Sequence, residues 1–205
     1  MWGLNVFGGR RHAEARFRPG VRIVARLNAR VQPTGRTEAF EEPLDAELRR
    51  RGIGFVTGGD SQLDADPYGI AFCDVEIQTG DDQPETLAAL VEALEELDAP
   101  KGSRLLDSSG DTRELARFGR MEGLALFLNA TDLGEDVYRE TDVDEVIFGC
   151  DRLMGDAGTY RGLWHGRRET ALYFYGPSFA RMQQAITGFT AEYPLCRKSR
   201  VERVA

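Results

Sequence analysis

The chain repeats itself, and repetition on this scale limits the architecture before any single side chain is read. Leu27-Asn28-Ala29 closes an apolar strand near the start, and Leu128-Asn129-Ala130 closes another 101 residues later. After each strand come an acidic helix pattern, a Gly-rich hairpin and a second helix opened by a proline, Pro84 or Pro177. Each copy then ends in a proline-containing turn (Pro100, Pro194) and a Ser-Arg pair, Ser103-Arg104 or Ser199-Arg200.

The local patterns give each element its type. Val21, Ile23, Ala25, Leu27, Ala29 and Val31 alternate with Arg22, Val24, Arg26, Asn28 and Arg30, the period of two of a half-buried strand. Pro43 suits the first position of a helix running to Arg51, Phe40, Leu44 and Leu48 mark its buried stripe, and Gly52 suits the residue beyond its end. Leu87, Leu90, Val91, Leu94 and Leu97 fall at helical spacing after Pro84, with Glu92, Glu95 and Glu96 turned to water. In the second copy, strands are expected at 123–130, 159–165 and 170–175, a helix behind Asp142-x-x-Glu145, another after Pro177, and a closing strand in 200–204. The order β-α-β-β-α-β is the split arrangement of ferredoxin-like folds, in which right-handed crossovers put the first and third strands in the middle of an antiparallel sheet. The expected protein is therefore α+β, with two ferredoxin-like repeats at 1–106 and 120–205 and a polar linker at 107–119.

Charge is unevenly placed. Residues 1–36 hold eight arginines against Glu14, a balance of +7, whereas the whole chain carries −8, so 37–205 carry −15. A body this acidic disfavours a phosphate backbone and suits a basic protein partner, so the reading is no nucleic acid. The longest apolar runs are a few residues, which gives no membrane span, and 1–20 lack the pattern of a secretory signal. Cys73, Cys150 and Cys196 are widely spaced and form no metal or disulfide pattern, which points to a cytoplasmic, cofactor-free and metal-free protein.

Several runs resemble a group of bacterial proteins with no settled function. They are Arg26-Leu27-Asn28-Ala29-Arg30, Pro43-Leu44-Asp45, Val56-Thr57-Gly58-Gly59, Phe72-Cys73-Asp74 with Glu76, and Ala99-Pro100-Lys101-Gly102-Ser103. Ala171-Leu172-Tyr173-Phe174-Tyr175-Gly176-Pro177 and Tyr193-Pro194-Leu195-Cys196-Arg197 extend the resemblance across the second half. It implies no catalytic residues.

Candidate sites follow from chemistry. Gly58-Gly59-Asp60 resembles the Gly-Gly-Asp/Glu-Glu-Phe loop of diguanylate cyclases, but Ser61-Gln62 replaces the Glu-Phe, so hairpin glycines are the reading preferred. Trp164, His165, Arg167 and Arg168 cluster at a hairpin tip, where acid–base work or an anionic ligand is conceivable. Cys150 lies on an apolar helical stripe and reads as a buried thiol. Asp132, Glu135, Asp136, Glu140, Asp142, Asp144 and Glu145 crowd one loop and helix start without the spacing of a calcium loop, which reads as a solvated acidic surface. Phe127, Tyr173 and Tyr175 must share the sheet face opposite Leu172 and Phe174. An aromatic face of that kind is not left to water: the other repeat, a second subunit in a homodimer, a partner protein or a small ligand covers it. The leading expectation is a protein-binding module, in its sharpest form an immunity-type inhibitor masking a basic toxin. The alternative is a small-molecule binding domain or enzyme using the second-repeat cleft.

Overall fold

In a computed structural model that describes residues 20–108 and 113–205, the first alternating run becomes β1 (Val21–Leu27). The run was expected to continue to Val31, but the chain leaves the sheet after Leu27. Ala29 and Val31 stay buried because they turn toward the second repeat instead.

The helix after it also starts early. Pro33 opens α1 (Pro33–Arg36), a π-helical turn follows at Thr37–Glu41, and α2 (Glu42–Arg51) carries the expected stripe of Leu44 and Leu48 to a left-handed Gly52, φ 70°. Strands β2 (Gly54–Leu63) and β3 (Ile70–Thr79) form a hairpin, and α3 (Pro84–Glu96) begins at its proline as read. Then come β4 (Ser103–Asp107) and β5 (Arg113–Phe118). The span expected to be a linker, 107–119, therefore contains a sheet strand. Leu115, Ala116 and Phe118 give it apolar positions to lay against the repeat.

The second repeat runs β6 (Glu122–Asn129), α4 (Glu135–Glu140), α5 (Val143–Met154), β7 (Thr159–His165), β8 (Glu169–Gly176), α6 (Phe179–Glu192) and β9 (Arg200–Arg203). Two of its helix starts, those of α5 and α6, carry side-chain caps. Asp142 accepts from the Asp144 N–H ahead of α5, and Ser178, not Pro177, accepts from the Arg181 N–H ahead of α6.

The sheets are ordered β2-β3-β1-β4-β5 and β7-β8-β6-β9, and every strand pair is antiparallel. With β5 set aside, both put their first and third strands in the middle. The protein is α+β, built from two ferredoxin-like repeats. In the first, Ile23, Ala25 and Leu27 sit opposite Ile77, Val75 and Cys73 on the face beneath Leu44, Leu48, Leu90 and Leu94. In the second, Leu124, Leu126, Leu172 and Phe174 lie under Val146, Cys150, Met182 and Ile186.

The repeats do not meet sheet to sheet. The open face of the second sheet is covered by loops at one end of the first repeat: residues 29–31 after β1, the β2–β3 turn around Tyr68, and Ala99. Among the described residues, no helix is long and apolar enough to cross a membrane. Half of the eight early arginines (Arg10, Arg11, Arg16 and Arg18) lie outside the described residues.

Candidate binding surfaces

The aromatic face is consumed by the contact between the repeats. Phe127 is 0% exposed, Tyr173 1% and Tyr175 5%, so none of them presents a surface to a partner. The Tyr68 ring meets Phe127 edge-on at 5.5 Å and 87°. The Tyr173 hydroxyl donates to the Tyr68 carbonyl at 2.6 Å, and the Arg30 N–H donates to the Tyr175 hydroxyl at 2.8 Å. Burial pushes the Tyr173 phenol up to about 12, with a smaller opposing effect from Arg30. Arg200 closes the rim: its guanidinium lies 3.8 Å from the Phe127 ring centre and pairs with Glu169 at 2.9 Å and with Glu202.

The β7–β8 hairpin tip does not assemble a reaction centre. Trp164 packs on Gly69, where φ is +71° and an added Cβ would lie 2.0 Å from the indole. His165 is exposed, and its Nδ1 is 3.2 Å from the Thr170 hydroxyl. The Arg167 N–H donates to Asp66 at 2.9 Å, while the Arg168 side chain reaches the other way to Asp132 at 3.6 Å. Successive residues point to opposite sides of a strand or tip, and the four were expected together only because they are neighbours in sequence.

Gly58-Gly59-Asp60 lies inside β2 and not in the turn, which is built by Asp64–Gly69. The ladder shifts register between Val56 and Gly58. A Cβ on Gly59 would come 2.3 Å from the Asp74 carbonyl oxygen and 2.6 Å from Glu41 Oε1. The glycine admits a buried ion pair that sequence reasoning missed. Arg36 is 7% exposed and donates to Glu41 at 2.6 Å, to the Ser61 hydroxyl at 2.8 Å and to the Gly59 carbonyl at 3.1 Å. That network covers the outer edge of β2. The only advance signal was Gly-Gly in an otherwise regular strand.

Burial pushes the thiols of Cys73 and Cys150 up to about 12 and that of Cys196 to about 11, so all three stay protonated at neutral pH. In the acidic stretch, Asp142 caps its helix, and hydrogen bonds from Asn129 and Thr131 hold the Asp132 carboxyl below its ordinary range. Among the described residues, no group of three or more His, Cys, Asp or Glu is placed to hold a metal ion.

Among the described residues, two surfaces of the first repeat are open. One is the sheet face away from the helices. There Arg26 makes a two-pronged pair with Asp74 at 2.9 and 2.8 Å and lies 4.0 Å over the Phe72 ring, while Arg104 and Arg117 both approach Glu114. Cation and carboxylate satisfy each other across neighbouring strands, so this face is close to neutral.

The other surface is a groove of about 510 Å³ between α3 and the edge strand β5. Its floor is Leu87, Ala88, Val91, Leu115 and Ala116, and its rim is Glu92, Glu95 and Arg120. Helix α3 supplies Glu85, Glu92, Glu95 and Glu96 and no lysine or arginine. Glu92 and Glu96 both pair with Arg51, at 2.7 and 3.4 Å, and Glu95 pairs with Arg120 at 2.7 Å. A smaller cleft of about 300 Å³ lies between the repeats, lined by Gln32, Glu38, Tyr160 and Arg161 among others.

No family model and no curated protein matches the chain. Among solved structures it is similar to the first two RRM domains of a yeast poly(U)-binding protein, at 10% identity and a TM-score of 0.26, over 91% of this chain and 99% of that one. It is also similar to a presumed monooxygenase of Fusobacterium nucleatum, at 13% identity and a TM-score of 0.29, over 90% and 91%. A presumed monooxygenase of Lactobacillus acidophilus gives 9% identity and a TM-score of 0.27, over 92% and 95%. With an RRM protein among the matches, the exclusion of nucleic acid drawn from net charge does not stand and is corrected. Net charge sums over a whole surface and forbids no local patch. Likenesses this distant assign no ligand to the chain.

Proposed function

We propose that the chain is a protein-binding module that captures a basic partner in the groove between α3 and β5. The observation that carries this reading is the groove itself, an apolar floor left open among the described residues, at whose rim Glu92 pairs with Arg51 and Glu95 with Arg120. An apolar groove gives a partner's apolar side chains a place to bury, and the net −15 of residues 37–205 speeds the encounter with a cationic protein. The aromatic face that first suggested capture is spent on joining the repeats, so support for binding now rests on the first repeat. The sharpest form of the reading is an immunity-type inhibitor masking a basic toxin.

The test is to produce the full chain together with the protein encoded beside its gene and to measure association over a range of ionic strength. A complex is expected whose association rate falls steeply with salt and which Ala88→Arg weakens without moving the melting temperature, since Ala88 is exposed. No complex, or a complex indifferent to Ala88→Arg, refutes the groove. The small-ligand alternative finds its support in the cleft at Gln32, Glu38, Tyr160 and Arg161, at the low end of ligand-pocket volumes. Trp164, His165, Arg167 and Arg168 do not converge on it.

A further inference from the structure

We infer that the cleft between the repeats binds a small zwitterion of the amino-acid type, its carboxylate on Arg161 and its ammonium on Glu38. This rests on the second reading above, in which the cleft takes a small ligand, and is independent of the groove. Two backbone irregularities of a kind that recurs beside functional sites border the cleft. In the first repeat, the π turn at Thr37–Glu41 brings Glu41 onto Arg36, five residues before it, and leaves Glu38 on the cleft. In the second, the edge strand β7 shifts register between Tyr160 and Gly162, which lie opposite Phe174 and Tyr173, so Arg161 is an extra residue. Tyr160 and Arg161 therefore both line the cleft, where a regular strand would send one of them away. Gly35 of α1 brings the walls together: a Cβ on it would lie 3.5 Å from the Arg161 carbonyl oxygen.

The charges at this cleft are not spent on each other. Glu38 is exposed and makes no ion pair or hydrogen bond among the described residues. Arg161, 27% exposed, has one partner, Asp98, at 3.6 Å, which is longer than a hydrogen bond. A guanidinium carries five N–H donors, so Arg161 keeps a fork free for a ligand carboxylate. Arg51, by contrast, is fully taken by Glu47, Glu92 and Glu96. Glu38 and Arg161 thus line one cleft as opposite charges that stand apart. An α-amino acid, whose ammonium and carboxylate are joined through one carbon, bridges them with the matching polarity. Gln32 braces the walls by donating to the Leu163 carbonyl at 2.9 Å, and the Tyr160 ring is held edge-on to Phe174 at 5.7 Å. The cleft of about 300 Å³ suits a ligand of this size.

The test titrates the full chain with the common amino acids, their decarboxylated amines and their deaminated acids, read by calorimetry. At least one amino acid is expected to bind, with neither its amine nor its acid binding comparably. Arg161→Gln and Glu38→Gln should each weaken it about 10- to 100-fold, the loss of a hydrogen bond to a charged group. Each variant also has its own signature. Glu38→Gln should no longer distinguish the amino acid from its deaminated acid, and Arg161→Gln should no longer distinguish it from its amine. Glu38 is exposed, so its variant probes the site without disturbing the fold. Binding of acids alone or amines alone, lost in one of the two variants, would overturn the zwitterion while leaving the cleft as a ligand site. No binding, or binding indifferent to both substitutions, would overturn both and leave capture in the groove untouched.

Discussion

Tyr173 and Tyr175 make opposite hydrogen bonds across the same contact, and removing the two hydroxyls should not cost the same. Tyr173 donates to the Tyr68 carbonyl, which also accepts from the Ile70 N–H at 2.8 Å. Tyr173→Phe therefore leaves that carbonyl with a partner, and the loss is that of an ordinary hydrogen bond, about 1 kcal/mol. Tyr175 instead accepts from the Arg30 N–H, beneath a ring that is 5% exposed. Tyr175→Phe strands a backbone donor away from water, which costs about 1–3 kcal/mol. Tyr173→Ala removes the ring as well and opens a cavity against Tyr68 and Phe127, for about 3–5 kcal/mol. Urea unfolding of the three variants at pH 7 should rank them Tyr173→Phe, Tyr175→Phe, Tyr173→Ala in rising cost. Because the interface joins the two cores, the parent chain should unfold in one transition, and Tyr173→Ala is the variant in which two would separate. Equal costs for the two phenylalanine variants, or a Tyr173→Ala variant within about 1 kcal/mol of the parent, would show that these loops do not hold the repeats together.

Three further outcomes are expected. Gly69→Ala should cost roughly 2–4 kcal/mol in the same assay, from a left-handed φ of +71° and a methyl group driven into the Trp164 ring. A neutral result would mean the hairpin tip is free of the first repeat. Arg36→Ala should cost about 3–5 kcal/mol, because it leaves Glu41 buried without its cation. If a surface arginine such as Arg49 proves equally costly, the buried network is wrong. Stability should also fall as pH rises above about 8.5, where unfolded thiols ionise while Cys73 and Cys150, pushed up to about 12, keep their protons. Each thiol raised in the folded state adds a slope of about 1.4 kcal/mol per pH unit until its folded value is reached. Cys73→Ala should flatten the decline between pH 8.5 and 10.5, and an unchanged slope would refute its burial.

What the sequence made legible was whatever a local period encodes. The strand alternation as far as Leu27 and the α3 stripe depend on residues within one turn or one pleat of each other, and the repeat is the same local patterns met twice in the same order. β5 was not legible. Arg113-Glu114-Leu115-Ala116-Arg117 alternates poorly because a bulge puts two apolar neighbours on one side, and a bulged edge looks like a polar loop. Arg36 was likewise hidden, since nothing near it in sequence says that Ser61 and Gly59 will close over it. The grouping of the expected binding residues was hidden for a related reason. Phe127, Tyr173 and Tyr175 were correctly assigned to one face, but which of several covers would occupy that face is decided by loops of the first repeat, Tyr68 lying 105 residues from Tyr173 and Arg30 145 from Tyr175.

Those distant covers also bear on where a binding site can be. A ferredoxin-like repeat has one sheet face free of helices, and in this chain the two free faces have different fates. The second is apolar and is buried by the first repeat's loops. The first is charge-balanced across its strands and pairs with itself. Neither leaves much unspent interaction energy for a ligand. What remains among the described residues is the seam between a helix layer and a sheet edge, and β5 leaves such a seam as a groove of about 510 Å³. At β2 the helical segment closes over the edge through Arg36, at β7 Gln32 donates to the Leu163 carbonyl at 2.9 Å, and β9 is only four residues long. The added strand that makes the first repeat depart from the minimal fold is thus also what builds the groove, so the reading makes a structural demand. Replacing Leu115 by Asp should abolish capture while leaving the four-stranded cores, and most of the thermal stability, in place. If that variant instead unfolds the whole chain, β5 is part of the folding core and the groove is a by-product of its packing.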